Sequence, residues 1–217
     1  MTPIATGWQR AALNTVCAAL LASSLGGCAP LLLGGMAAGG VLVASDRRTS
    51  GAQLEDEGIE LRAANRLREP LGGRGHINVT SYNRQALLTG EVPTEADKAT
   101  AEQVLGQVDN VRSVVNELAV MGNSTLSQRS SDALALGRVK AALVDAQDLS
   151  MHAFKVVVER GTVYLMGRVT QREATRVTEV VRGVQGVQRV VRVLEIISEE
   201  ELARLAPKPA STPPAKP

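Results

Sequence analysis

The sequence predicts an α+β protein built from two tandem copies of one αββαβ unit, each with two helices laid on one face of a three-stranded sheet. The first observation behind this is a repeat. Ile77-Asn-Val-Thr-Ser-Tyr-Asn-Arg-Gln-Ala-Leu-Leu-Thr-Gly90 aligns without a gap with Phe154-Lys-Val-Val-Val-Glu-Arg-Gly-Thr-Val-Tyr-Leu-Met-Gly167, and self-similarity at a fixed offset marks a duplicated unit. The second is that the apolar period changes within each copy from that of a helix to that of a strand.

Ile59, Ala63 and Leu67 in the first copy, and Ala135, Val139 and Leu143 in the second, recur every fourth position and form one apolar helical face. Alternation follows, through Ile77, Val79 and Ser81 to Ala86 and Leu88, and through Phe154, Val156 and Val158 to Val163 and Leu165. Each pair of runs is separated by turn chemistry, Tyr82-Asn83-Arg84 or Glu159-Arg160-Gly161, as a hairpin requires. A second helix is expected over 94–107 and 171–183, and a last strand over 111–120 and 187–197. Gly90 and Gly167 each close an apolar strand before a helix start, and with Gly161 they read as structural turn glycines, needing positive φ or close approach of another element. One glycine is not a Gly-rich phosphate cradle.

Around these units the chain divides into a signal (1–27), a Gly-, Ala- and Leu-rich tether (28–50), a first domain (51–122), a polar linker (123–130), a second domain (131–198) and a Pro-, Ala- and Lys-rich tail (199–217) expected to be disordered. Each copy is complete and the linker is polar, so the domains are expected to fold independently. The signal is read from Arg10, an apolar stretch from Ala11 to Leu25 that is shorter than the roughly 20 residues of a spanning helix, and Leu25-Gly26-Gly27-Cys28. Those four residues form a lipobox, in which small residues admit the backbone to a peptidase and the Cys28 thiol takes a diacylglycerol. Cys17 lies inside the signal and is lost with it, so a disulfide scaffold is excluded from the mature chain. Its acyl chains add about 0.8 kcal/mol per buried methylene, enough in combination for durable anchoring.

Leu88-Thr89-Gly90-Glu91-Val92 and Leu165-Met166-Gly167-Arg168-Val169, each followed by a helix and then Val-x-x-Val-x-x-Val, closely resemble the BON domain. Two such domains behind a lipobox are similar to the dual-BON outer-membrane lipoproteins of the DolP (YraP) type. The resemblance implies a non-catalytic protein that is lipid-anchored in the outer membrane, faces the periplasm, contacts phospholipid and supports membrane integrity. Ala29 after the cysteine favours outer-membrane sorting under the rule of enteric bacteria. The first hairpin departs from the family, with Asn83-Arg84 in place of the usual glycine turn, but Asn tolerates the left-handed region.

Charge separates the copies. Gly51 to Gly122 carries seven basic against eleven acidic side chains, and Arg129 to Ile197 eleven against seven, giving net charges of −4 and +4. The second domain is therefore the expected partner of an anionic phospholipid surface, where each nearby cation contributes about 1 kcal/mol. Glu55, Asp56, Glu57 and Glu60 crowd the first helix of copy one and should repel such a surface, whereas copy two offers Leu134, Arg138 and Lys140 as candidate phospholipid contacts. Outer-membrane assembly proteins are the second class of partner. Nucleic acid is not expected, because Tyr82, Phe154 and Tyr164 are the only aromatic residues after the signal and base-stacking platforms are missing. His76 and His152 stand alone, with no cysteine and no carboxylate at ligand spacing, so neither a metal nor any other cofactor is expected. Gly-x-Ser-x-Gly, His-Glu-x-x-His and P-loop patterns are absent, and no enzyme activity is expected.

Overall fold

The computed structural model describes residues 46–205. Cys28, the signal and most of the tether lie outside the described residues. In the first copy, α1 (Ser50–Leu71) leads to the hairpin β1 (His76–Tyr82) and β2 (Gln85–Val92), then α2 (Glu95–Gly106) and two short strands, β3 (Ser113–Asn116) and β4 (Ala119–Val120). In the second, α3 (Leu126–Asp145) leads to β5 (Phe154–Glu159) and β6 (Thr162–Val169), then α4 (Gln171–Arg182) and β7 (Arg189–Ile196), with a final helix α5 (Glu199–Leu205). The middle strand of each sheet, β2 or β6, pairs antiparallel with its hairpin partner and parallel with the strand that follows the second helix.

The helices cover one face of each sheet, and the expected stripes are buried. Ile59, Ala63 and Leu67 pack on Ala86, Leu88, Ala101 and Leu105. Val139 and Leu143 pack on Val163, Leu165, Val177 and Val181. Ala135 is buried at the start of the same stripe.

Boundaries differ from the sequence reading in four places, each for a local reason. The last strand of copy one is split, because Asn116 accepts the Leu118 N–H (3.2 Å) in its own turn and Leu118 drops into the core. The linker is shorter, because Thr125 and Gln128 form a reciprocal capping box that starts α3 at Leu126. The tail begins as helix, because the Ser198 hydroxyl accepts the Glu201 N–H and Glu199, Glu200 and Glu201 complement the helix dipole. The end of the tether is fixed: Arg47 grips Glu173 with two 2.7 Å bonds, and Arg48 binds Asp46 and Asp56 and lies 4.2 Å over the Tyr82 ring.

The glycines also divide. Gly161 occupies the β5–β6 turn at φ 69°, but Gly90 and Gly167 lie within β2 and β6, not in turns. There the carbonyl of the residue entering the partner strand, His76 or Ala153, occupies the space a Cβ would need. The approach at Gly90 is that of strand β1 and at Gly167 that of the 3-10 turn leading into β5, and Gly90 additionally sits at φ 111°.

The faces of the two sheets that carry no helices meet. Tyr82, Leu87, Tyr164, Met166 and Val193 form one buried apolar cluster across the seam, flanked by Val115, Val157 and Val191. Around it, Lys155 pairs with Glu60 (2.7 Å), Arg189 with Glu117 (2.7 Å), Arg160 with Glu91 (3.2 Å) and Arg112 with Glu195 (3.2 Å). The two units thus share a third core, which the expectation of independently folding domains did not include.

Candidate membrane-docking surface and the interdomain seam

The first helix of each copy has an inward and an outward side that carry different groups. Inward, each presents a buried aspartate to the hairpin turn of its own sheet. Asp56 accepts from the Ser81 hydroxyl (2.7 Å), the Asn83 and Arg84 amides (2.7 and 2.8 Å) and Arg48 (2.8 Å). Asp132 accepts from the Arg160 and Gly161 amides, both at 2.8 Å. The turn residues Asn83, Arg84, Arg160 and Gly161 all have positive φ, the two-residue geometry that matches strand twist. Burial alone would raise the Asp56 pKa, but the bonds from Ser81, Arg84, Arg48 and Asn83 outweigh it and hold the carboxyl below the ordinary range. Asp56 is therefore structural, and counting it among surface charges that repel lipid was incorrect.

Outward, the two helices differ. On α3 the buried stripe is Asp132, Ala135, Val139 and Leu143. The opposite side carries Leu126 (81% exposed), Leu134 (62%) and Val144 (58%), with Ser130, Ala133, Gly137 and Ala141 between them, and the one exposed carboxylate on the helix is Asp145 at its C-terminal end. Arg129 and Arg138 touch only neutral partners here, the Ser124 hydroxyl (3.1 Å) and the Gln185 carbonyl (3.4 Å), and Lys140 is exposed. Leu134 and Arg138 lie one turn apart on one flank. Lys140 lies on the other flank, one turn from Val144, so the three candidate contacts border a common apolar strip but do not form one cluster.

A cleft of about 490 Å³ opens beside Leu134 and Arg138, and Arg160, Gly161 and Gln188 complete its wall. On α1, by contrast, exposed Leu54 and Leu61 (71% and 66%) are interrupted by exposed Glu57. The second domain's excess of base is also partly engaged elsewhere, since Lys155, Arg160 and Arg189 pair with carboxylates of the first domain across the seam. Net domain charge therefore overstates what α3 can offer to a membrane.

At one end of the seam the fold assembles a group that spacing along the chain did not announce. His76 Nδ1 lies 3.4 Å from Glu91 Oε2 and 3.9 Å from Glu159 Oε1. His76 and Glu91 face each other in the β1–β2 register, which a hairpin alignment could have signalled. Glu159 comes from the other domain and had no local signal. Burial pushes the Glu159 carboxyl upward, against the charge of His76 and a hydrogen bond from Asn78. His152 lies in the 3-10 turn before β5, apart from this group.

Comparison with known proteins follows the same division of the chain. The BON domain model matches residues 55–122 and 131–198. The chain belongs to the BON-domain family. It is 34% identical over 157 residues to "Outer membrane lipoprotein DolP" of Haemophilus influenzae, covering 71% of this chain and 81% of that protein. The "21 kDa hemolysin" of Actinobacillus pleuropneumoniae is 30% identical over 136 residues, covering 62% and 70% respectively. Among solved structures, CdsD, a structural protein of the type III secretion system of Chlamydia trachomatis, aligns with 65% of this chain and 96% of its own at 12% identity, with a TM-score of 0.29, a likeness too slight to carry an argument. The protein is thus a dual-BON outer-membrane lipoprotein of the DolP type. Among the described residues no helix is long and apolar enough to cross a membrane.

Proposed function

We propose that this dual-BON lipoprotein supports outer-membrane integrity by docking its second domain on anionic phospholipid through the outer side of α3. The observation that supports it most is the apolar strip of Leu126, Leu134 and Val144 bordered by Arg129, Arg138 and Lys140, with Asp145 at the C-terminal end of α3 as the one exposed carboxylate on the helix. Apolar side chains beside cations suit the boundary between headgroups and acyl chains. The cleft beside Leu134 is walled by Arg138, whose guanidinium reaches only the Gln185 carbonyl and so keeps donors for a phosphate, whereas Arg160 on the same wall is paired with Glu91. Cys28 holds the chain at the membrane, so weak contacts act at high local concentration. Its reading as a non-enzyme belongs to the same proposal: α3 offers a surface, and the family resemblance implies no reaction.

A protein-scaffold reading has one observation in its favour. An apolar groove of about 620 Å³, lined by Leu61, Leu67, Leu71, Ile77 and Val79, runs between α1 and the edge strand β1. A partner strand or helix could lie there. Sedimentation separates the two readings. The chain should pellet with phosphatidylglycerol vesicles several-fold more than with phosphatidylcholine vesicles. The difference should shrink between about 0.15 M and about 1 M salt, as the screening length falls from about 8 to about 3 Å. Equal pelleting with both lipids, at both salt concentrations, would remove the phospholipid reading and leave the groove.

A further inference from the structure

The group formed by His76, Glu91 and Glu159 has no part in the lipid surface, yet it gathers metal-binding side chains from both domains. Glu91 is fully buried and Glu159 nearly so. Two carboxylates withdrawn from water at one spot require compensation, and Arg160, at 3.2 Å from Glu91 Oε1, is the one permanent cation among the described residues paired with either. The His76 Nδ1 atom is buried and makes no hydrogen bond, although two carboxylate oxygens stand near it. An imidazole nitrogen that faces carboxylate oxygens without bonding to either is placed as a ligand would be.

The distances agree. Nitrogen and oxygen donors bind zinc at about 2.0–2.2 Å, which in a tetrahedral arrangement separates neighbouring donors by about 3.3–3.6 Å. Nδ1 stands 3.4 Å from Glu91 Oε2 and 3.9 Å from Glu159 Oε1. The three ligand atoms all lie within 4.8 Å of one another, so closure requires no separation to shrink by more than about 1.5 Å. The carboxylates are already oriented by their other contacts. The Ser124 amide donates to Glu91 Oε2 (3.1 Å), and Asn78 Nδ2 donates to Glu159 Oε2 (3.0 Å), leaving Oε1 of Glu159 toward the histidine. Such outer partners fix ligand orientation in metal sites. One neutral imidazole with two carboxylates is a ligand set that suits zinc more than calcium or magnesium, which take oxygen alone.

We propose that His76 Nδ1, Glu91 Oε2 and Glu159 Oε1 form a zinc-type divalent-cation site that clasps the two BON domains across their seam. Two ligands come from the hairpin of the first domain and one from the end of β5 in the second, so the ion joins elements that sequence places 68 or more residues apart. The fourth position is left to water.

The test is calorimetric titration of zinc chloride into the chelator-treated mature lipoprotein in detergent, with circular dichroism to confirm the fold of each variant. One equivalent should bind. His76→Ala and the nearly isosteric Glu159→Gln should each weaken it at least tenfold, while His152→Ala binds as the parent does. Zinc should also raise the melting temperature of the parent and leave that of Glu159→Gln unchanged. Absence of a one-equivalent binding heat would overturn the proposal. So would binding that survives both His76→Ala and Glu159→Gln unchanged, since the ion would then sit elsewhere.

Discussion

Replacing Asp56 with alanine should lower the melting temperature by about 6–20 °C, the largest effect expected of any single side chain outside the apolar cores. The substitution strands the Asn83 and Arg84 amides and the Ser81 hydroxyl in a site where Asp56 is 1% exposed. The Ser81 hydroxyl is buried and the two amides partly so, and a donor left without a partner costs about 1–3 kcal/mol, the amides toward the lower end. Arg48 loses one of its two acidic partners and keeps Asp46. A total of about 3–5 kcal/mol is a large part of the stability of a chain this size, and each kilocalorie shifts the transition by about 2–4 °C.

Asp132→Ala should cost less, because Asp132 receives two amides and no guanidinium. The comparison also has a pH signature. The Asp56 carboxyl is held below its ordinary range in the folded chain, so its contribution is fully present above the unfolded value near 4 and disappears as pH falls through the lower folded value. Parent and Asp56→Ala melting curves should therefore converge in acid and separate toward neutrality. An Asp56→Ala variant that melts with the parent at pH 7 would remove the turn-anchoring role.

The second large effect is expected at the seam, where Leu87→Asp should uncouple the domains. Leu87 and Met166 are fully buried, and they face away from the helices of their own sheets toward each other's sheet. Burial of each such side chain contributes about 1.5–3 kcal/mol, and a lone carboxylate in their place would have to leave the cluster to regain water. The parent should melt in one transition. Leu87→Asp should melt in two, each domain keeping the core beneath its own helices. Excised 46–122 and 123–205 should each melt below the parent and bind each other when mixed. Fragments that melt at the parent temperature and ignore each other would show that the seam contributes nothing.

Periodicity made the units legible, because a helix buries every third or fourth residue and a half-covered strand every second. Ile59, Ala63 and Leu67 and their counterparts Ala135, Val139 and Leu143 needed no structure to be placed inside. The seam was written in the same strands and went unread. Ala86-Leu87-Leu88 and Val163-Tyr164-Leu165-Met166 are apolar at successive positions, the mark of a strand covered on both faces, and only one face had been assigned a partner. Asp56 and Asp132 were obscure for a different reason. An aspartate near a helix start ordinarily reads as a surface charge, and only the register of the following hairpin brings the turn amides over it. The His76 group draws a ligand from each domain, so no spacing along the chain encodes it. The α3 surface was partly legible: Leu134 and Arg138 share a flank, but Lys140, two residues beyond Arg138, falls on the other flank, and Leu126 was taken for linker.

The claim that α3 meets phospholipid is tested most directly by reversing the character of its outer strip without touching the core. Leu134→Glu with Arg138→Glu places two carboxylates beside the Leu126 and Val144 strip, while Ala135, Val139 and Leu143 remain buried. Leu61→Glu on α1 places one carboxylate at an exposed apolar position of the other domain's first helix. With folding verified by circular dichroism, sedimentation with phosphatidylglycerol vesicles should show the α3 double variant reduced at least about tenfold in partitioning, given about 1 kcal/mol for each cation lost or opposed near the surface together with the lost apolar contact. Leu61→Glu should partition as the parent does. A folded α3 variant that still binds phosphatidylglycerol as the parent does, or an equal loss from Leu61→Glu, would contradict docking through the second domain.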